Sequence, residues 1–181
     1  CNLRCTYCDT RYAYEEGSRW DIAELIDHIR SYRSPLVEIT GGEPLLQGEA
    51  PLLIRDLLDR GYEVLLETNG SLPIREVDRR CVRIVDIKCP SSGEDHHNDY
   101  TILEDLSERD EVKFVLGGRQ DYEFARDLLQ SRQLASRTRR PPLFSPIVPR
   151  LAPKELAQWI LDDRLYVRLQ LPLQKILWGS E

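Results

Sequence analysis

The stretch Leu36-Val37-Glu38-Ile39-Thr40-Gly41-Gly42-Glu43-Pro44 joins a short β-favouring run to a sharp Gly-Gly turn. Further β-favouring runs follow along the chain, and segments with helical spacing of apolar residues separate most of them. Strands that alternate with helices favour a parallel sheet with right-handed crossovers. The sequence therefore predicts an α/β fold built mostly from parallel strands.

About six strands can be placed from these patterns. The predicted strands cover residues 36–40, 63–67, 82–87, 112–116, 143–147 and 165–171. The predicted helices cover residues 20–33, 49–60, 120–131 and 154–162, with a short one near 102–107. Asp21 followed by Glu24 resembles a capping box, which predicts that the first helix begins just after Asp21.

Composition limits the class of protein. The chain has 181 residues, 41% of them hydrophobic, and a formal net charge of −6. This is enough for one core, so we expect a single domain over 1–181, with a cysteine loop at 1–17, an α/β core at 18–171 and a tail at 172–181. No apolar run is long enough to span a membrane, no signal peptide is visible, and the negative charge disfavours direct nucleic-acid binding. We expect a cytoplasmic protein.

Three of the five cysteines, Cys1, Cys5 and Cys8, fall within the first eight residues at the spacing C-x3-C-x2-C. An odd count and a lopsided distribution disfavour a disulfide framework. Three thiolates on one polar loop suit an iron–sulfur cluster with one open iron better than zinc, which normally takes four ligands. Thiols without a metal remain a third alternative. Cys81 and Cys89 are interpreted as structural, although Cys89 is also considered as a fourth thiol near the site.

Polar turns follow three of the predicted strands. These turns are Gly41-Gly42-Glu43-Pro44, Glu67-Thr68-Asn69-Gly70 and Lys88-Cys89-Pro90-Ser91-Ser92-Gly93. Ligands of parallel α/β proteins bind at the carboxyl ends of the strands. Ordinary turn chemistry accounts for any one of these turns, but three of them together with a thiolate loop predict a binding site.

The combination of Cys1-x3-Cys5-x2-Cys8 with the turn Gly41-Gly42-Glu43-Pro44 resembles the radical S-adenosylmethionine (SAM) enzymes. In that family three cysteines hold a 4Fe–4S cluster, and the free iron binds SAM. The resemblance implies a partial TIM-type barrel of mostly parallel strands. Because the chain contains no Met and starts at the first cysteine, we expect a short variant whose first strand is missing from the numbered chain.

Longer runs extend the resemblance over essentially the whole chain, to the 7-carboxy-7-deazaguanine synthases. The runs are Cys8-Asp9-Thr10 and residues 40–44, 67–70, 86–93, 111–115 and 173–179. Members of this family are lyases of queuosine biosynthesis, a tRNA modification pathway. They convert 6-carboxy-5,6,7,8-tetrahydropterin to 7-carboxy-7-deazaguanine with release of ammonia, using a 4Fe–4S cluster, SAM and Mg²⁺.

The resemblance also implies roles for individual residues. Cys1, Cys5 and Cys8 would bind the cluster, Thr10 would bind Mg²⁺, and Thr40 would bind substrate. The residues that would contact SAM are Tyr7, Cys8, Asp9, Gly42, Glu67, Asn69, Asp86, Ile87, Lys88 and Ser91. No further catalytic side chain is assigned. The resemblance implies a homodimer that receives electrons from flavodoxin or ferredoxin.

Two other functions remain open. Activating enzymes for glycyl-radical proteins are also short and share the cysteine spacing, but their third cysteine is commonly followed by His or Asn rather than by Asp9-Thr10. A zinc domain fused to an α/β fold would need a fourth ligand, and His28 lies within a predicted helix. His96-His97, in a polar loop, are interpreted as solvated residues rather than as metal ligands.

Overall fold

Within the described residues, six parallel strands form one open sheet in the order in which they occur along the chain. The computed structural model describes residues 1–14 and 17–177. The strands are β1 Leu36–Ile39, β2 Glu63–Thr68, β3 Val82–Ile87, β4 Glu111–Leu116, β5 Leu143–Pro146 and β6 Arg168–Leu169. The predicted α/β class and the parallel arrangement are confirmed, and over the residues described the sheet does not close into a full barrel.

Helices connect most of the strands. They are α1 Ile22–Ser31, α2 Ala50–Asp59, α3 Arg119–Ser131, α4 Pro153–Asp162 and α5 Leu173–Leu177. Each predicted helix of the core is present to within two residues at its ends, and Asp21 caps α1 by accepting a hydrogen bond from the Ala23 N–H at 2.9 Å. The short helix predicted near 102–107 is a 3-10 helix, Tyr100–Glu104.

Two predictions near the carboxyl end need correction. The last strand is shorter than predicted, because only Arg168 and Leu169 pair with β5, opposite Leu143 and Phe144. The segment expected as a tail, residues 172–181, contains helix α5, which the sequence patterns did not predict. The last residues of that tail, 178–181, lie outside the described residues.

The two faces of the sheet differ in chemistry because successive side chains of a strand point to opposite sides. On the outer face, Leu66, Val85, Phe114 and Phe144 are fully buried and belong to apolar clusters formed with the helices. On the inner face, Val82, Ile84 and Leu143 form a third apolar cluster near the amino ends of the strands. Towards the carboxyl ends this face becomes charged.

The amino edge of the sheet contains a buried ion pair. Arg83, near the start of β3, and Asp110, just before β4, are 1% and 0% exposed. Their Nη2 and Oδ2 atoms are 2.5 Å apart, and the same guanidinium donates to the carbonyls of Ile74 and Asp105. This pair therefore ties β3 to the connections on both sides of it.

Among the residues that the structure describes, none of the helices combines the length and the apolar character needed to cross a membrane.

Candidate active site

A cavity of about 580 Å³ lies at the carboxyl edge of the sheet. The cysteine loop forms one wall, and the polar turns after β1, β2 and β3 form another. Most residues with a predicted role line it: Cys1, Cys5, Tyr7, Cys8, Asp9, Thr10, Thr40, Gly42, Glu67, Asn69, Asp86 and Lys88. The fold thus brings together residues that are distant in the sequence, as expected for a ligand site in a parallel α/β protein.

The cysteine loop is fixed to the segment that follows β3. Thr6 donates its backbone N–H to the Ser92 carbonyl at 3.0 Å and its hydroxyl to the Ser91 carbonyl at 2.7 Å. The Arg4 N–H donates to Glu94 Oε1 at 2.9 Å, and the Leu3 side chain is buried. These contacts hold an irregular loop in one conformation at the rim of the cavity.

The three cysteines of this loop are free thiols, each partly exposed to the cavity. Burial raises the pKa of Cys5. Burial acts in the same direction on Cys8, but hydrogen bonds with Tyr14 and Thr10 leave the pKa of Cys8 below its usual value. Three soft thiol donors on one side of a polar cavity fit an iron–sulfur cluster with one open coordination position.

The other two cysteines lie away from this loop. Cys81 and Cys89 are fully buried in two different apolar clusters, and burial raises the pKa of Cys81 to about 12 and that of Cys89 well above its usual value. Neither lines the cavity. Their interpretation as structural residues agrees with this burial, whereas Cys89 is not a fourth thiol of the site.

The Gly-Gly turn after β1 packs directly against the cysteine loop. A Cβ atom on Gly42 would lie 2.7 Å from the Ala13 carbonyl oxygen and 2.7 Å from the Cys1 nitrogen, so a side chain cannot be accommodated there without movement of the backbone. The next residue, Glu43, is buried. Its carboxylate accepts hydrogen bonds from the Thr68 hydroxyl at 2.9 Å and the Asn69 N–H at 2.7 Å. Glu43 therefore holds the turns after β1 and β2 together.

Asn69 connects the turn after β2 to the cysteine loop. Its Nδ2 donates to Asn2 Oδ1 at 3.0 Å and lies 3.7 Å from Cys1 Sγ. Its Oδ1 accepts hydrogen bonds from the N–H and the hydroxyl of Ser71. The side chain thus positions the first cysteine in addition to lining the cavity.

The cavity floor is formed by alternating charges on β2, β3 and β4. Lys113 Nζ lies 2.5 Å from Glu67 Oε1, and Lys88 Nζ lies 2.8 Å from Asp86 Oδ2. Burial tends to lower the pKa of both lysines, but the neighbouring carboxylates outweigh it and raise the pKa of each. Both lysines are therefore cationic at neutral pH, and the floor offers charges of both signs.

Two polar atoms of the cavity wall have no hydrogen-bond partner among the described residues: Asp86 Oδ1 and the Tyr7 hydroxyl. Both atoms are buried, and burial raises the pKa of Tyr7 well above its usual value, so this side chain remains a neutral phenol. Buried polar groups in proteins are nearly always hydrogen-bonded. An unpaired acceptor on the cavity floor and an unpaired hydroxyl on the cysteine loop fit a polar ligand.

Two of the predicted SAM contacts do not line the cavity. Ile87 is fully buried on the outer face of β3 within the apolar core, because it alternates with Asp86 and Lys88, which face inward. The N–H of Ser91 donates to Asp121 Oδ1 at 2.9 Å and its hydroxyl donates to Asp121 Oδ2. Ser91 therefore fixes the loop after β3 rather than presenting its hydroxyl to the cavity.

Several residues that line the cavity were given no role from the sequence: Glu38, Lys113, Ser145, Gln170 and Lys175. A signal existed for Glu38 and Lys113, because each is a charged residue inside an otherwise apolar strand and shares the inner face with Glu67 and Asp86. Lys175 had no such signal. It comes from α5, where its Nζ lies 3.6 Å from Asp9 Oδ2.

Comparison with known proteins gives relatives for this arrangement. A family model described as "Radical SAM superfamily" matches residues 1–98. A 7-carboxy-7-deazaguanine synthase of Chlorobaculum tepidum is 41% identical over 184 residues, which covers 100% of this chain and 83% of that protein. A 7-carboxy-7-deazaguanine synthase of Koribacter versatilis is 39% identical, covering 100% of this chain and 86% of the relative.

Solved structures agree on the fold. The crystal structure of QueE from Escherichia coli matches with a TM-score of 0.73 at 20% identity, covering 94% of this chain and 80% of that one. Streptococcus suis SuiB bound to S-adenosylmethionine matches with a TM-score of 0.60 at 12% identity, covering 94% of this chain and 44% of that one. The chain therefore belongs to the radical SAM superfamily and, within it, to the family of 7-carboxy-7-deazaguanine synthases.

Proposed function

We propose that this chain is a radical SAM lyase that converts 6-carboxy-5,6,7,8-tetrahydropterin to 7-carboxy-7-deazaguanine with release of ammonia. The observation that carries the proposal is the cavity in which three free cysteines face a floor of alternating carboxylates and ammonium groups. Family membership supplies the reaction, since the relatives named above are 7-carboxy-7-deazaguanine synthases. The reaction would belong to queuosine biosynthesis.

In this proposal Cys1, Cys5 and Cys8 hold a 4Fe–4S cluster. When bound, the cluster and SAM supply the radical that abstracts hydrogen from the substrate. The residues of this chain then position the reactants and keep water away from them. The fastening of the cysteine loop by Thr6, together with the close contact at Gly42, supports this role because both fix the thiols relative to the strand ends.

We assign the binding of SAM to the polar residues between the cysteine loop and β3. Tyr7 and Asp86 support this assignment most directly, because each offers a buried polar atom that has no partner among the described residues. Asp86 Oδ1 would accept a hydrogen bond from SAM, while Lys88 Nζ holds the other carboxylate oxygen, Oδ2, at 2.8 Å. The remaining contacts in this assignment that line the cavity are Cys8, Asp9, Gly42, Glu67, Asn69 and Lys88.

The substrate is assigned to the part of the cavity near Thr40 and Thr10. Thr10 would bind Mg²⁺ through its hydroxyl, with substrate oxygens and water as further ligands, since Mg²⁺ prefers an octahedron of oxygen atoms. A cation held there would neutralise the substrate carboxylate and fix the orientation of the pterin ring. The ammonium group of Lys113, on the floor of the same cavity and paired with Glu67, adds a positive charge that favours an anionic substrate.

The proposal includes a cellular setting that family membership supports. The cluster would receive electrons from flavodoxin or ferredoxin, the enzyme would act as a homodimer in the cytoplasm, and neither a membrane nor a nucleic acid would be a direct partner.

Product analysis tests the proposed reaction. The anaerobically reconstituted protein is incubated with SAM, a reductant, Mg²⁺ and 6-carboxy-5,6,7,8-tetrahydropterin, and the products are identified by mass spectrometry. We expect 7-carboxy-7-deazaguanine and one ammonia per turnover. A protein that carries a full cluster and binds SAM but forms no deazaguanine would overturn the proposal and favour a glycyl-radical activating enzyme.

A further inference from the structure

A second group of potential metal ligands lies outside the cavity, in the loop that follows β3. The group consists of Glu94, His96 and His97, and their ligand atoms all lie within 4.8 Å of one another. His97 Nε2 is 3.4 Å from Glu94 Oε2, and the centroids of the two imidazole rings are 4.2 Å apart. None of the three residues lines the cavity, so this group is separate from the proposed site of catalysis.

The chemistry of the group selects the kind of ion. Two imidazoles and one carboxylate are ligands that Zn²⁺ and similar first-row transition metals accept, whereas Mg²⁺ and Ca²⁺ prefer sets made of oxygen atoms alone. Both histidines are exposed, so water can fill the remaining positions. We propose that Glu94, His96 and His97 form a surface site for a divalent transition-metal ion of the Zn²⁺ type.

Glu94 is already held in place for this role. Its Oε1 accepts the Arg4 N–H of the cysteine loop at 2.9 Å, and its own N–H donates to the Ser92 hydroxyl at 3.0 Å. The other carboxylate oxygen, Oε2, is the one that faces His97. A carboxylate that is fixed before the ion arrives loses less freedom on binding, which favours affinity.

The sequence interpretation of these two histidines was different, since they were assigned to a solvated loop. That interpretation is correct about their exposure. It did not include Glu94, because a Glu-x-His-His run lacks the spacing of the common zinc motifs. Only the 3-10 turn Asp95–His97 brings the carboxylate and the rings together.

The test is a titration of the cluster-loaded protein with Zn²⁺, in which binding is measured by isothermal titration calorimetry. Loading the cluster first occupies the cysteines, which would otherwise bind zinc themselves. We expect one equivalent of Zn²⁺ to bind. Loss of a residue that only supports a metal ligand weakens metal binding by about 10- to 100-fold. The double substitution His96→Ala and His97→Ala removes two ligands, so we expect it to weaken zinc affinity by more than this.

The matched control is His28→Ala, which removes the remaining histidine of the sequence. His28 lies on α1, where it contacts Trp20 and Tyr32, and its loss should leave zinc binding unchanged. Glu94→Gln, which preserves the shape of the side chain, should also weaken binding. Zinc binding that is undetectable in the parent protein, or equally tight in the double histidine variant, would overturn the proposal.

Discussion

Two buried ion pairs, which involve residues of the same strand, differ in how completely they are satisfied. At the amino edge of the sheet, both carboxylate oxygens of Asp110 accept hydrogen bonds: Oδ1 from Arg83, and Oδ2 from Arg83 and from the Ser107 N–H. At the carboxyl edge, Lys88 Nζ pairs with one carboxylate oxygen of Asp86, Oδ2, while the other oxygen, Oδ1, has no partner among the described residues. The two pairs lie only a few residues apart along β3.

This difference in hydrogen bonding distinguishes a charged pair that stabilises the fold from a charged pair that is able to bind a ligand. A buried pair whose hydrogen bonds are complete leaves nothing for a ligand to bind, but breaking it exposes an unpaired charge to a low dielectric. A buried acceptor that lacks a partner costs stability in the free protein. We infer that binding of a ligand supplies the hydrogen-bond partner that Asp86 Oδ1 lacks.

The largest expected effect extends the comparison to cysteine. Cys5 lines the cavity and Cys89 is buried in the core, so we expect Cys5→Ala to abolish both cluster formation and turnover, while Cys89→Ala keeps both. Iron and sulfide analysis after anaerobic reconstitution, together with product assays, measures the difference. Undiminished iron and brown colour in Cys5→Ala would contradict the cluster assignment.

The next effect concerns stability. Asp110→Asn leaves the Arg83 guanidinium buried without its counter-ion, and we expect the free energy of unfolding to fall by about 3–5 kcal/mol. This corresponds to a thermal midpoint about 10 °C lower for a chain of this size. Differential scanning calorimetry of the cluster-loaded protein measures it. A midpoint within error of the parent value would show that the satisfied pair does not stabilise the fold.

A smaller effect is expected at the Gly-Gly turn. Gly42→Ala places a Cβ atom 2.7 Å from backbone atoms of Ala13 and Cys1, which displaces the cysteine loop. We expect cluster loading to fall several-fold. Gly48→Ala is the control, because a Cβ there meets nothing within 4 Å. Equal iron content in the two variants would show that the close contact at Gly42 is not needed for cluster loading.

The smallest effect is expected for Thr10→Ala. If Thr10 binds Mg²⁺, its loss should leave SAM binding intact but reduce the stimulation of product formation by Mg²⁺, since water can replace one hydroxyl ligand in part. Initial rates measured over a range of Mg²⁺ concentrations provide the comparison. The same Mg²⁺ dependence in the variant and the parent protein would exclude Thr10 as a ligand.

Local patterns were sufficient to predict most of the architecture. The apolar periodicity of α1, α2 and α3 and the β-favouring runs of β1 to β5 are properties of neighbouring residues, which a single sequence displays directly. The spacing of Cys1, Cys5 and Cys8 likewise identified the thiol set, because all three belong to one loop. The length of β6 was overestimated, since only Arg168 and Leu169 pair with β5 although β5 continues to Pro146.

The rest of the site depends on contacts between distant residues. Lys113 and Glu67 are 46 positions apart and meet only when β2, β3 and β4 are placed side by side. Ile87 and Ser91 lie within a run that resembles the family. The alternation of side chains along β3 places Ile87 in the core, and Asp121 accepts a hydrogen bond from the Ser91 N–H. A motif therefore identified a segment that lines the cavity, without identifying which of its side chains face it.

The most direct test of the difference between the two ion pairs is the affinity of the cluster-loaded protein for SAM. It is measured by equilibrium dialysis for the Asp86→Asn and Asp110→Asn variants, at a temperature below the unfolding transition of each. Loss of a charged hydrogen bond to SAM should weaken binding by about tenfold or more in Asp86→Asn. Asp110→Asn, although less stable, should bind SAM as tightly as the parent protein. Parent-like affinity in Asp86→Asn, or an equal loss in both variants, would contradict the assignment of the incomplete pair to ligand binding.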